Sequence, residues 1–393
     1  MKSSDRVSLV RVLIAGGGYA GLQTAIVLER LMRGKRECEI ILVDKREYHT
    51  LLPSLPEIIS KRGFSIIYYK DILKNRHIEF IHAAIKDIRL NEKTALVVND
   101  PTYTKSLEYD FLVLSLGSRP SIPNILGMNK YAYFFNTIED AQLIATALQN
   151  MEGEKIVVIG GAGATGVELA GEIATLQSIK PQSSSKKVVL ISTSLLNGFP
   201  NEAIKWAKIY LDSLGVLLLV GSEYSIVEIR PHSVRLKNGS EIKNALFIWT
   251  GGVVATPFLK QIGLKIGEKG RVLVNNYLQP EGRNDVFVIG DSALILDNLG
   301  HSLPTNAYFA KEHGKVAAYN IYAKINGLPL RKFSPTDPAS TYAISIGSEF
   351  AISRISGLDL FGHSASNLKK VIKLKYLNEI GGVSLAGKEY SRF

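Results

Sequence analysis

A single cysteine, Cys38, is all that the 393 residues contain, so no intramolecular disulfide can form and no dithiol can carry redox chemistry. Nor is there a run of the roughly 20 apolar residues that a membrane span needs; the longest candidate, around Val216 to Val220, reads as a strand. No basic start followed by an apolar stretch of signal-peptide length precedes the first strand, and a reducing, cytoplasmic setting is expected. Acidic residues are in deficit: Lys and Arg number 47 against 36 Asp and Glu, a net charge of +11. Such a surface favours anionic partners such as phosphates, anionic lipid headgroups or nucleic acid. The basic residues are dispersed, however, with no stacking platform or reading helix, so nucleic acid is not expected as a partner. No metal site is expected either.

Hydrophobic residues make up 46% of the chain, charged residues 21%, and 34 are glycine, which is globular composition. Because single cores stop growing beyond roughly 250–300 residues, the length predicts two or three domains. Val12 to Ala15 is a short apolar run that meets Gly16; Tyr19 to Met32 then has helical length and spacing, and Ile40 to Val43 forms a second apolar run. The same order returns later, with Ile156 to Ile159 as strand, Thr165 to Ser178 as helix and Val188 to Ile191 as strand. Phe111 to Pro120, Leu246 to Gly252 and Val286 to Asp291 are further strands closed by glycine. Strands this apolar are buried on both faces and belong to parallel α/β sheets. The serine-rich stretch from Pro181 to Lys187 reads as a surface loop. After Pro335 the texture changes: Tyr342 to Ile355 reads as strands around Gly347, and Ala365 to Leu377 as a basic amphipathic helix.

Gly16, Gly18 and Gly21 follow a strand and open a helix, the context that gives a glycine pattern its meaning. Gly16 permits the tight turn, Gly18 lets a diphosphate approach the backbone, and Gly21 lets helix and strand pack closely, while the helix start offers free N–H groups and partial positive charge. Asp44 ends the second strand 23 residues after Gly21, where a carboxylate can accept from ribose hydroxyls. Tyr19, inside the turn, and Lys45, beside the acid, join this candidate site. Gly161, Gly163 and Gly166 repeat the arrangement 145 residues later. Two such sites in one chain suggest two dinucleotides, and flavin with nicotinamide is the pair that exchanges hydride. Glu168 and Glu172 lie one turn apart on the second helix. Glu168 reads equally as an acid at a helix start; beside Glu172, Gly171 would let another group approach. The strand-end acid is missing here, since Ser192-Thr-Ser194 follows Ile191, and only Lys186 and Lys187 stand nearby. The choice between NADH and NADPH stays open.

The first fingerprint, the stretch from Gly161 to Glu172, Trp249 to Gly252 and Gly290-Asp291 together resemble the two-dinucleotide-binding-domain flavoproteins, and within them the type II NADH dehydrogenases, single-subunit enzymes that reduce quinones. The resemblance covers about residues 9 to 330 well and the rest loosely. It implies two Rossmann-like domains plus a small C-terminal domain: a discontinuous FAD-binding domain from residues 1–125 and 264–335, an NAD(P)H-binding domain from 126–263, and a C-terminal domain from 336–393. On this resemblance Gly290 and Asp291 would meet the ribityl chain of FAD, although Asp291 could instead cap the next helix. Gly117 would lie near the phosphates or the crossing between domains. Glu168, Thr250 and Gly251 would face the nicotinamide, with Glu172 near it and the acceptor. Disulfide reductases of this kind carry two cysteines soon after the first acid, but Lys45 to Thr50 holds none. Where type II dehydrogenases show two glutamines beside the quinone, this chain has Tyr308 and Glu312, one helical turn apart.

The segment from Asn367 to Leu377 carries four lysines alternating with apolar residues, which gives a helix one cationic and one apolar face; it can lie in a membrane interface, or it can close a domain with its apolar face. The expected activity is hydride transfer from NAD(P)H to FAD and electron transfer to a quinone, with Glu172, Glu312 and Tyr308 as catalytic candidates and a peripheral position on the cytoplasmic face of the membrane. Reduction of a small electron-transfer protein such as rubredoxin or ferredoxin, or a flavin-bound scaffold with vestigial activity, are the alternatives. The oligomeric state, a homodimer included, is open.

Overall fold

The computed structural model describes residues 9–34, 38–60, 66–100, 103–151, 155–179, 187–297, 299–334, 341–355 and 357–390. Pro335, Lys186 and the loop 181–186 lie outside them. Two five-stranded sheets dominate. In the first, the order is Val286–Val288, Phe111–Leu114, Val10–Ala15, Cys38–Asp44, Glu79–His82, and every pairing is parallel. In the second it is Tyr133–Phe134, Ala245–Trp249, Ile156–Gly160, Lys187–Ser192, Leu217–Val220, again parallel throughout. The central strands are buried on both faces, with Leu13, Ile14, Val157 and Val158 wholly inaccessible; on the second sheet Val157 and Ile159 pack under helices, while Val158 and Val189 pack against Ile229, Val234 and Leu236 of antiparallel strands on the other face. The apolar runs Val12 to Ala15, Ile40 to Val43, Ile156 to Ile159 and Val188 to Ile191 fall inside observed strands, Glu79–His82 and Tyr133–Phe134 had no such run to show them, and the helices Tyr19–Leu31 and Ala164–Ile179 fall where the spacing placed them.

Both units also carry a three-stranded antiparallel meander ahead of the strand that returns to the sheet. These are Ala84–Arg89, Thr94–Asp100 and Tyr103–Glu108 in the first, and Ile226–Arg230, Ser233–Leu236 and Glu241–Lys243 in the second. The sequence reading did not find them, because their strands are half polar and lack a continuous apolar run. One signal was present: Asn238-Gly239, with Gly239 at φ 88°, is a favoured hairpin turn. The chain crosses between the units twice, and the crossings Ser118–Pro120 and Val253–Ala255 pair antiparallel with each other.

The C-terminal segment has no core of its own among the described residues. Its antiparallel sheet, Tyr342–Ile346, Phe350–Ile355 and Leu358–Phe361, buries Ile344, Ile346 and Ile352 in the core around the second sheet, where Tyr210 stacks on Phe350 at 4.5 Å. The helix His363–Tyr390 then returns to the first core, into which Tyr376, Leu377, Ile380 and Leu385 pack. At Gly382 (φ 77°, ψ 179°) this helix breaks. Carbonyls exposed by the break are met by arginines: Arg30 donates to the Glu379 oxygen (2.8 Å) and Arg76 to that of Ile380 (2.9 Å).

The lysines of this helix divide between two faces, which corrects the expectation of a four-lysine cationic face. Lys369 and Lys373 point inward, to Glu168 (2.6 Å) and Glu57 (3.3 Å). Outward stand Lys370 and Lys375 with Val371, Ile372 and Val383. No helix among the described residues is long and apolar enough to cross a membrane.

Candidate functional site

The two glycine turns superpose in their chemistry residue by residue. Gly16 (φ 100°) and Gly161 (φ 105°) take the left-handed conformation that glycine tolerates, and each donates its N–H 2.8 Å to the neighbouring strand, at Val43 and Ile191. At Gly21 a Cβ would stand 1.9 Å from the Gly16 carbonyl oxygen, and at Gly166 the same distance from that of Gly161, so helix and turn touch only because no side chain intervenes. Gly18 and Gly163 differ from these: nothing lies within 4 Å of where their Cβ atoms would be. Each therefore leaves an open cradle in front of a helix start, the shape and polarity that a diphosphate requires.

A hydroxyl latches each turn from the returning strand. Ser115 donates 2.7 Å to the Gly16 carbonyl and Thr250 donates 2.9 Å to that of Gly161. Thr250, expected on the nicotinamide side, thus has a structural task, and Ser115 shares it. The sequence reading missed Ser115, although the likeness of Leu-Ser-Leu-Gly to Trp-Thr-Gly-Gly was its signal. Gly251 packs against the Trp249 indole, which a Cβ there would meet at 2.0 Å.

Beyond the backbone the sites diverge. Asp44 accepts from the Gly17 N–H (2.6 Å) and the Arg46 N–H (2.8 Å); burial raises its pKa, against the pull of these donors and of the Arg46 and Lys45 charges. Its place in register is taken in the second unit by Ser192, whose hydroxyl accepts only from Ser194 N–H (3.4 Å) among the bonds described. Lys45 is exposed beside the acid. The Gly17 carbonyl accepts from Tyr69 Oη (2.7 Å) and His49 Nδ1 (3.2 Å). Tyr19 is buried and stacks on Tyr376 at 4.8 Å.

Asp291 sits in a single 3₁₀ turn, Gly290–Ser292, and accepts from the Ser118 hydroxyl at 2.7 Å; no helix is capped by it. Burial raises its pKa, opposed by that bond and by the Arg271 charge. Gly290 (φ 63°) donates to His313 Nδ1 at 3.3 Å, while Gly117 (φ 69°) has open space before it. These residues gather where the two crossings meet.

On the second helix Glu168 is engaged by Lys369 and by the Ser345 N–H at 3.1 Å. Glu172 is buried, and the Ser60 hydroxyl donates to it. The close approach that Gly171 allows is made by the C-terminal sheet, since a Cβ there would lie 2.6 Å from Gly347 N. Tyr308 and Glu312 share the exposed side of the helix Ala307–Ile325, Tyr308 edge-on to Phe309 and Glu312 paired with Lys315 at 2.7 Å. His49, Tyr69, Tyr376 and Ser60 were not singled out in the sequence, because only the fold brings the first three to the first turn and Ser60 to Glu172. Cys38 is a strand residue whose thiol is pushed up to about 12 by burial first, then by Asp110 and Glu39, so it is no nucleophile at neutral pH.

Residues 10–314 match the pyridine nucleotide-disulphide oxidoreductase family. The chain is 28% identical over 377 residues to demethylphylloquinone reductase of Synechocystis, covering 93% of this chain and 91% of that one. It is also 28% identical over 408 residues to the type II NADH:quinone oxidoreductase of Staphylococcus saprophyticus, covering 96% and 98%. Among solved structures, NDH2 from Plasmodium falciparum in complex with NADH has the same fold, with a TM-score of 0.81 at 18% identity over 98% of both chains.

Proposed function

This chain belongs to the pyridine nucleotide-disulphide oxidoreductase family, and from that premise we propose that it is a type II NADH:quinone oxidoreductase carrying FAD on its first glycine turn and taking NAD(P)H on its second. The observation that carries the reading is the pair of open cradles at Gly18 and Gly163. One cysteine excludes the dithiol route after which the family is named, so electrons must leave for an external acceptor, and both full-length relatives are named as quinone reductases.

FAD would be held by Gly16, Gly18 and Gly21, by Asp44 with Lys45, and by Gly117, Gly290 and Asp291; Tyr19 supports the turn from within. Bound there, it supplies the two-electron chemistry that links hydride from NAD(P)H to reduction of a quinone. Residues 1–125 with 264–335 form its domain, 126–263 the nicotinamide domain, and 336–393 a segment spanning both. Gly161, Gly163 and Gly166 receive the nicotinamide dinucleotide, and holding it in place replaces a bimolecular encounter. Glu172 is the proton-relay candidate on the buried side. At the acceptor end Tyr308 can pack on a ring, while the charged Glu312–Lys315 pair also suits a small electron-transfer protein, the second reading. The outward face with Lys370, Lys375, Val371 and Ile372 rests on an anionic membrane surface.

Purified protein should be yellow, lose its flavin absorbance on anaerobic mixing with NADH, and recover it with a short-chain quinone. Colourless protein that takes up no FAD sinks the proposal, and bleaching reversed by rubredoxin or ferredoxin but by no quinone selects the second reading. Flotation with anionic liposomes at low salt tests the membrane contact; full recovery in the unbound fraction removes it.

A further inference from the structure

The C-terminal helix reaches the first glycine turn through a chain of buried polar groups. His49, 1% exposed, has Nδ1 3.2 Å from the Gly17 carbonyl and Nε2 2.8 Å from Tyr376 Oη. A carbonyl only accepts, so Nδ1 carries the proton. Nε2 is then the acceptor, and the Tyr376 hydroxyl donates to it. We infer that Tyr376 is a positioning residue for the flavin: acting through His49 on the Gly17 peptide, its hydroxyl, and not the packing of its helix, sets the hold of the first turn on FAD. The inference rests on the reading of that turn as the FAD site.

Gly17 lies between the turn glycine and the open one, so the plane of its peptide sets where the Gly18 backbone faces the diphosphate. Its N–H is fixed by Asp44 and its carbonyl by Tyr69 and His49. Without the Tyr376 hydroxyl, Nε2 becomes a buried acceptor with no partner, a costly state. The imidazole can relieve it only by turning over or drawing in water, and turning over withdraws Nδ1 from Gly17. The helix is seated by contacts beside this chain: Lys311 binds Glu379 at 2.6 Å and lies 4.8 Å over the Tyr376 ring, and Gln23 donates to Glu379 at 2.9 Å. In the second turn the matching residue is Ala162, whose carbonyl receives the Leu196 N–H at 2.8 Å. No side chain reaches it among the described bonds. The nicotinamide site is therefore an internal control.

The test uses full-length protein stripped of flavin and titrated with FAD, read by quenching of flavin fluorescence. Tyr376→Phe keeps the ring and should weaken FAD binding about fivefold to tenfold, the loss of one buried hydrogen bond, with NADH affinity unchanged. Adding it to His49→Phe should weaken FAD no further than His49→Phe alone, because one path carries both effects. Ile380→Ala loosens the same helix by packing only and should lower Tm while leaving FAD affinity as it is. Wild-type affinity in Tyr376→Phe, or an equal loss in Ile380→Ala, overturns the inference. Wild-type protein that takes up no FAD removes instead the reading of the first turn.

Discussion

At the end of its second strand the first unit carries Asp44 and the second carries Ser192, in equivalent register. The carboxylate binds two backbone N–H groups around its turn. The serine binds none of the second turn's amides among the described bonds. The same contrast holds one residue into each turn, where Gly17 is clamped by Tyr69 and His49 and Ala162 meets only backbone. Both turns share the bonds that shape the loop, a latching hydroxyl included; among the described bonds only the first is held further by a carboxylate, a tyrosine and a histidine. That is the difference expected between a site that keeps its ligand through many turnovers and one that must release it each time.

The sharpest way to break this comparison is to fill the cradles one at a time. Gly18 has φ −63°, so Gly18→Val strains no backbone and should act by occupying the diphosphate space. FAD uptake should fall at least about 100-fold, whereas Gly163→Val should retain flavin and weaken NADH at least about tenfold. Loss of flavin in both variants would mean that the turns are not independent sites. Next in size is Glu172, whose counterpart on the first helix is Val27. Glu172→Gln should lower quinone turnover at least about tenfold with FAD content unchanged; undiminished turnover rules out the relay.

Exchanging the strand ends sharpens the contrast further. Asp44→Ser leaves two loop amides without their acceptor and should weaken FAD about tenfold. Ser192→Asp should tighten NADH about threefold and weaken NADPH, since charge-assisted hydrogen bonds to ribose are the stronger kind. Equal affinities in the two Ser192 forms would place the ribose elsewhere.

The smallest effect is one of pH. Burial pushes His49 down to about 4 and His313 to about 3, and both pack in the first unit. Below the ordinary value near 6.5 the unfolded chain binds protons that these two do not, so their contribution to stability is complete above about pH 6.5 and is lost as pH falls toward 4. Asp44 and Asp291, raised by burial, act in the opposite sense as pH rises above the usual carboxylate value. Between pH 6 and 5 the histidines contribute about 1 kcal/mol each. Thermal melts should show Tm falling by about 2–4 °C over that interval, and by about half as much in His49→Phe. A Tm flat over that interval would show that the imidazoles are not held neutral.

How much of this was legible beforehand varied with the range of the interaction. The inner sheet strands, both turns and both first helices could be read because apolar runs and glycines at fixed offsets act locally, whereas the edge strands Glu79–His82 and Tyr133–Phe134 carry no such run. The meanders escaped because their strands mix polar and apolar residues and offer no continuous apolar run of the kind that marked the sheet strands. The terminal helix was recognised as basic and amphipathic, but the division of its lysines was not, since Lys369 and Lys373 turn inward only because Glu168 and Glu57, far away in sequence, wait there.

Sequence by itself determined that this chain builds one strand-turn-helix unit twice, because the steric freedom of glycine and the burial of apolar strands need no distant partner. Tertiary structure alone decided that Ser115 and Thr250 latch the turns, that Glu172 lies buried beside Ser60, and that Tyr376 closes on His49. Those contacts join residues up to 327 positions apart, and a hydrogen bond between such groups depends on how the intervening chain packs, which no local pattern records.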